Sequence, residues 1–471
     1  MIVHVVTHPE NFIDHQKKVL LESELDSHCF ALVYEHEQYY LPDSPVINLI
    51  ALVALTRAQH KCSACFAIVP FAESLAEQVE ALADDPQALK QFAADQQLGW
   101  HDMSSPLLLE PVTIPKPWGQ EIWYTGIEAR GQSEVAAQEF STPLPWLLSL
   151  MPDNLAAGKE RQLILLKILD PLPEEVYGDL YFEMHEEKQE VYVVTHVDQN
   201  AWPNGVGCIR LGFDRELLKT YPSDDHFKQA YLAAVKDYEA VRRKIDEIYD
   251  QYRLDHGLQL NDPVDAQLLK AWQNQLAPAL VQEEHEKRRV MDAFTSMQPI
   301  SVGDVVKVPQ FTPHALQHGV RTIEFQTPVY ERKILSFAQK VLTQSHWDTE
   351  AVLSKLNLQT PEQPAFQKLT TSEDCVVERV VSFDDFEVQR INLQPHSYYV
   401  LSETNSYRIL MVISGAAQFI SGAFEGNTTE LAQTQIYHPG QSVLLSATAP
   451  PCKWLAGEAG AILLMAAPHQ K

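Results

Sequence analysis

Two segments of this chain gather side chains able to hold a divalent cation. The first is Gly178-Asp179-Leu180-Tyr181-Phe182-Glu183-Met184-His185-Glu186-Glu187-Lys188-Gln189-Glu190. On a strand, Glu183 and His185 share one face, because strand side chains alternate with period two. After a tight turn, Glu190 can return on the adjacent strand and face the same way. The second segment runs from Gly303 through five residues to Pro309, then through a turn that delivers His314 to a strand start. Together they offer Glu183, His185, Glu190 and His314. Two imidazoles and two carboxylates suit zinc, manganese or iron, with positions left for water or substrate. Singly, each residue has a plainer reading as a core histidine or a solvated strand carboxylate. The ordered pairing of the two segments favours ligation.

The elements that must position this quartet are those of a large globular chain. It has 471 residues, 45% hydrophobic and 21% charged, which suggests about three domains. A net charge of −27 repels phosphate backbones, so nucleic acid is an unsuitable partner. The exclusion does not extend to a small phosphorylated ligand, because a local basic pocket can oppose the overall field. The opening MIVHVVTHPENFIDH has no basic region followed by a long apolar run, and the longest apolar stretches fall short of the ~20 residues a membrane helix needs. With only six cysteines and no disulfide framework, the expectation is a cytoplasmic protein. Cys62-Ser63-Ala64-Cys65, with His60 nearby, is a lone CxxC. Without a second pair it reads as small packed side chains leading into a strand rather than a redox or zinc motif.

Residues 1–108 mix short strands with helices over Glu73 to Gln97, broken at Pro86, and read as an α/β domain of unknown role. Three prolines between Pro111 and Pro117 mark a boundary. Residues 109–345 are β-rich, with strands at Leu163 to Leu169, Glu190 to Thr195, Val305 to Val308 and Val320 to Phe325. They are interrupted over 215–297 by a helical insertion. Phe227, Tyr231, Val235, Tyr238, Val241, Ile245, Ile248 and Tyr252 form one apolar helical stripe there, read as packing. A second helical stretch spans Pro263 to Met297, interrupted at Pro278. Phe337 to Leu358 reads as helix, and the rest of 346–471 as a β sandwich or barrel.

The two ligand segments resemble the paired motifs of the cupin superfamily, G-x5-H-x-H-x3-4-E-x6-G and G-x5-P-x-G-x2-H-x3-N. Glu183 stands for the first histidine, Phe311 for the second motif's inner glycine, and His318 for its asparagine. Within cupins the chain is similar to type I mannose-6-phosphate isomerases, also called phosphomannose isomerases. The likeness rests on Lys116-Pro117-Trp118-Gly119, Glu183-x-His185, Lys188-Gln189-Glu190, the helical insertion, and the run from Pro309 to Ala315. It covers residues 110–345 and leaves 1–108 aside. It implies a mainly β fold with α: a jelly-roll-like catalytic barrel, a helical insertion, a second degenerate cupin-like barrel, and the extra N-terminal α/β segment. Departures from the family pattern are Glu183 in place of Gln, Glu186-Glu187 after the ligand histidine, and no Ser-Asp before Arg332.

The resemblance further implies zinc as the cofactor, a sugar phosphate as the ligand, and Lys188, Glu324 and Arg332 as catalytic residues. Aldose–ketose isomerisation moves a proton between C1 and C2 through an enediol, which calls for an electrophile at the oxygens and an acid/base group. Trp118 and Lys116 are the substrate-binding candidates, with Lys307 and Lys333 as further cations for a phosphate. Two other readings stay open: a metal- or sugar-binding cupin with a regulatory role, and a cupin enzyme of another class such as an iron-dependent dioxygenase. The metal's identity, the substrate and the oligomeric state are not legible from the sequence.

Overall fold

A computed structural model describes residues 1–58, 61–151, 163–363, 365–403, 406–421, 434–447 and 449–469. They form two compact units, one built from 1–112, 123–165 and 366–471, the other from 113–122 and 166–365. The sequence suggested cuts near 108 and 345. The observed division differs because the strand Leu107–Glu110 pairs antiparallel with Ser442–Leu445, which draws the chain beyond residue 108 into the sheet of the C-terminal strands. Among the described residues no helix is long and apolar enough to cross a membrane.

In the first unit, the strands Ile2–Val5, Ser27–Glu37, Val46–Ala58, Lys61–Pro70 and His101–Asp102 make a five-stranded sheet in chain order. Ile2–Val5 pairs parallel with its neighbour, so the chain between them crosses over as the helix Pro9–Glu22. The apolar run Val46 to Leu55 is the central strand, and every residue from Leu49 to Leu55 is at most 1% exposed. Burial on both faces, not a membrane, explains its uniform hydrophobicity. The expected helical stretch after Glu73 is two helices, Glu73–Glu80 and Pro86–Asp95. Pro86 sits in the first turn of the second, where its missing N–H costs nothing, and Asp85 caps Ala88 N.

Cys62 and Cys65 lie half-buried on the strand Lys61–Pro70. Burial pushes both thiols up, Cys65 to about 12, so neither offers a ready thiolate. His60 lies outside the described residues. The C-terminal part is an antiparallel sheet organised around the long strands Arg408–Ser421 and Cys452–Pro468, with Phe419, Tyr437 and Trp454 in its core.

The second unit has two sheets. A six-stranded sheet runs Val305–Val308, Glu190–Val197, Val320–Gln326, Leu165–Pro171, Gly119–Trp123, Val112–Lys116. A five-stranded sheet runs Thr295–Ile300, Gly207–Phe213, His314–Leu316, Phe182–Met184, Lys333–Ser336. One apolar core draws on both, with Tyr192 and Val308 from the first and Ile209, Met184 and Ile334 from the second.

The helical insertion consists of Arg215–Lys219, Asp224–Asp255, Ala266–Gln273 and Pro278–Asp292. The long helix starts where Ser223 caps His226 N, carries Asp224 and Asp225 in its first turn, and ends with Arg253, a charge order that suits the helix dipole. Its apolar stripe buries Phe227, Tyr231, Val235 and Tyr238 into the same core, and Phe213 and Phe294 meet Phe227 edge-on. Two expectations need correction. The insertion ends at Asp292, not 297, because Thr295–Ile300 hydrogen-bonds to Gly207–Phe213 as a strand. Phe337 to Leu358 is mostly irregular, with only the short turns Thr349–Val352 and Leu353–Lys355 helical. Its apolar residues Val341, Trp347, Leu353 and Leu358 each reach the core separately. Asp348 hooks the segment to the sheet by accepting from Ile334 N at 2.9 Å.

One buried histidine in the first unit sets a pH dependence. His101 is 2% exposed, shares a hydrogen bond of 2.8 Å with Thr142 Oγ1, and is lowered by burial to about 4. Unfolded, the same imidazole titrates near 6.5. Between these values the unfolded chain binds more protons, so stability from this residue is full above about pH 6.5 and is lost as pH falls toward 4. The expected loss is about 3 kcal/mol. Urea titrations from pH 7 to 4 should show it, and H101Q should flatten that part of the profile.

Candidate metal centre

The quartet assembles across the two sheets of the second unit. Glu183, on Phe182–Met184, lies directly opposite His314, the first residue of His314–Leu316. His185 follows the Glu183 strand at once. Glu190 opens Glu190–Val197 in the other sheet, between Val308 and Gln326. The expected hairpin from Glu183 to Glu190 therefore does not form. Val320–Gln326 takes the hydrogen bonds such a hairpin would use, and Thr327 continues this by exchanging bonds with Gln189.

The turn before His314 fixes its approach. Phe311 has φ +62°, the left-handed region, at the position where the motif usually carries glycine. Its N–H donates to the His185 carbonyl at 2.7 Å, and its own carbonyl accepts from Asn357 N at 3.0 Å. The same turn thus ties both histidine segments together. At the other end, Gly178 packs so closely on Leu172 that a Cβ there would overlap the Leu172 carbonyl oxygen.

Donor atoms of Glu183, His185 and His314 all lie within 4.8 Å of one another. Glu190 joins them, with Oε1 at 3.3 Å from His185 Nε2 and Oε2 at 3.1 Å from His314 Nε2. His185, His314 and Glu190 are each 2% exposed. Yet neither ring nitrogen of His185 makes a hydrogen bond, nor does Glu183 Oε2. Buried polar atoms left this way are costly unless another partner completes them. His314 Nδ1–H donates to Thr312 O at 3.0 Å, which aims Nε2 at the cluster, where it donates to Glu190 Oε2 at 3.1 Å and would have to give up that proton to ligate a cation. The donor set fits a divalent cation.

The electrostatics are those of buried opposing charges. Burial alone would raise Glu190, but the Lys188 ammonium, at 2.7 Å, and the two imidazoles hold it well below the usual carboxylate range. Burial and the Lys188 charge lower His185 to about 4. Burial also works against protonation of His314, but its bond to Glu190 outweighs this and raises it. Glu324 is raised well above an ordinary carboxyl by burial and by the nearby Glu190 charge.

The other expected residues divide. Glu324 pairs across strands with Tyr192 and forms an ion pair of 3.2 Å with Lys167. Lys188 Nζ reaches Gln326 Oε1 at 3.2 Å. Arg332 lies over the Tyr181 ring, 4.9 Å from its centroid, and donates to Thr343 Oγ1 at 2.7 Å. Trp118 is 1% exposed and belongs to the apolar core. Lys116 is held by Glu121 at 3.0 Å. Lys307 uses its backbone N–H to donate to Gln363, and Lys333 pairs opposite Met184. His318, in the motif's asparagine position, binds Asp179 at 2.7 Å and stacks on Trp202.

Sequence reasoning missed Lys167, Glu121, Tyr192 and Gln326. Tyr192 OH donates to Glu190 Oε2 at 2.7 Å, and Lys167 lies 4.0 Å from Glu121 as well as near Glu324. Lys167 had a signal: it is the single charge inside Leu163-Ile164-Leu165-Leu166-Lys167-Ile168-Leu169. A lysine inside a buried strand needs a carboxylate partner.

No family model matches this sequence, and no curated protein matches it. Solved structures do resemble it. The mannose 6-phosphate isomerase from Bacillus subtilis has a TM-score of 0.52 at 14% identity, covering 77% of this chain and 99% of that one. A mutant phosphomannose isomerase from Salmonella typhimurium reaches a TM-score of 0.53 at 13% identity, covering 78% and 100%. The apo form of mannose 6-phosphate isomerase from Salmonella typhimurium gives 0.52 at 12%, with 78% and 100% covered. At such identities the likeness establishes the fold: a mainly β cupin architecture with helices.

If the quartet binds a cation, removing either imidazole should empty it. H185A and H314A, purified beside the parent chain and assayed for bound metal by elemental analysis, should each carry almost none. Full loading in the double variant would refute the centre.

Proposed function

We propose that this chain is a metal-dependent sugar-phosphate isomerase that interconverts aldose and ketose forms, with mannose 6-phosphate and fructose 6-phosphate as the pair to test first. The observation that carries the reading is the buried His185 imidazole, unbonded at both nitrogens, beside Glu190 and an Nδ1-anchored His314. The cupin fold shared with mannose 6-phosphate isomerases supports it. Glu183, His185, Glu190 and His314 would hold the cation, zinc foremost, which when bound supplies Lewis acidity to a substrate carbonyl and its neighbouring hydroxyl.

The remaining chemistry is proton movement between C1 and C2, with no net oxidation. Glu324 is the candidate acid/base at the carbon, and Lys167 at 3.2 Å positions its carboxyl. Lys188, held between Glu190 and Gln326, is the candidate donor toward an oxygen of the enediol. Arg332 is the candidate for steadying its negative charge, and it would have to leave Thr343 to do so. In this reading Trp118 shapes the wall from the core, and Lys116 acts on the substrate through Glu121. The engagement of Arg332 and Lys116 with protein partners favours one second reading, a cupin that binds metal or sugar without turnover.

A coupled assay of the zinc-loaded chain with mannose 6-phosphate decides between them. Fructose 6-phosphate formation is expected, lost in H185A. K167M should retain metal while kcat falls by roughly 10²–10⁴-fold. Stoichiometric zinc with no product would leave only the binding role.

A further inference from the structure

We propose that the helical insertion of the second unit carries a separate binding site for a small aromatic anion, of the aryl phosphate class. This inference is independent of the isomerase reading. Between the insertion and the loops around Tyr177 and Gln339 lies a cavity of about 380 Å³. That volume is within the ordinary range of small-molecule sites, roughly 300–1,000 Å³. None of the quartet, nor Lys188, Glu324 or Arg332, lines it.

Its walls carry four cations, Arg242, Arg253, Arg288 and Lys340, against two carboxylates, Glu175 and Glu284. Such an excess stands out in a chain of net charge −27. The arginines are not surface charges: Arg242 is 5% and Arg253 3% exposed. Each has a carboxylate beside it, yet donors are left over. Arg242 spends Nε on Asp246 and Nη1 on the Ala338 carbonyl, and its Nη2 makes no hydrogen bond. Arg253 Nε and Arg288 Nε also lack one, although Arg288 Nε lies 3.2 Å from Glu284. A single oxygen, Asp250 Oδ1, serves both Arg253 at 3.4 Å and Lys340 at 2.6 Å. Buried guanidinium N–H groups without acceptors invite an anion, and their planar fork matches phosphate oxygens.

The rest of the wall selects what the anion is attached to. Val264, Leu269 and Leu276 are apolar, and Tyr249 lies under the Arg242 guanidinium with 5.5 Å from carbon to ring centroid. A flat ring fits against such an arginine–tyrosine pair, while a purely polar ligand would leave the aliphatic wall without contacts.

The test uses the full, zinc-loaded chain with phenyl phosphate and inorganic phosphate as probes, followed by ligand-observed NMR and thermal shift. Phenyl phosphate should bind saturably and more tightly than inorganic phosphate. R242Q should weaken it by about tenfold or more, and V281W, which fills the cavity from its half-buried wall, should do the same, both with metal content unchanged. If R242Q does not fold, V281W decides, since it leaves the Arg242–Asp246 pair in place. Absence of saturable binding overturns the proposal. So does binding that both variants leave unchanged, or that depends on the metal and so belongs to the quartet. Equal affinity for the two probes overturns the aromatic half.

Discussion

Burying the Glu190 carboxylate is the constraint on which the second unit turns. It sits on one sheet and is satisfied mostly from elsewhere: by the His314 imidazole of the other sheet, by the Lys188 ammonium from the crossover, and by its neighbour Tyr192, with His185 Nε2 3.3 Å away. A charge so enclosed is tolerable only with its partners in place. Everything around it serves that end. The Phe311 turn joins the two histidine segments, the Thr312 carbonyl anchors His314 Nδ1, and the Glu183–His314 pairing fixes the register.

Beyond it lies a row of alternating acidic and basic side chains. Glu190, Lys188, Glu324, Lys167, Glu121 and Lys116 follow one another through ion pairs or close electrostatic contact. Lys188 holds Glu190 well below the usual carboxylate range, whereas burial and Glu190 push Glu324 up despite Lys167 and Lys188.

Much of this was legible in the sequence, and for a definite reason. Side-chain spacing on strands is a local property, so the four side chains that meet here, Glu183, His185, Glu190 and His314, could be named from two short segments. The long helix announced itself through its apolar stripe, and the central strand Val46–Ala58 through its unbroken hydrophobicity. What local pattern could not supply was partner choice. Glu190 pairs with Val320–Gln326 rather than with the strand just before it, a decision made by residues more than a hundred positions away. Thr295–Met297, helical in its continuity with the preceding segment, is claimed as strand by Gly207–Phe213. Likewise Lys116, plausible as a free cation, is bound to Glu121 through a fold that the dipeptide Lys-Pro does not reveal.

The crossing of the chain from one sheet to the other between His185 and Glu190 has a mechanical corollary. Ligands drawn from both layers make any ion seated among them a rivet through the sandwich. Prising the layers apart, or letting either strand slip by one residue, would unseat it, so retention of the ion reports directly on the alignment of the two sheets.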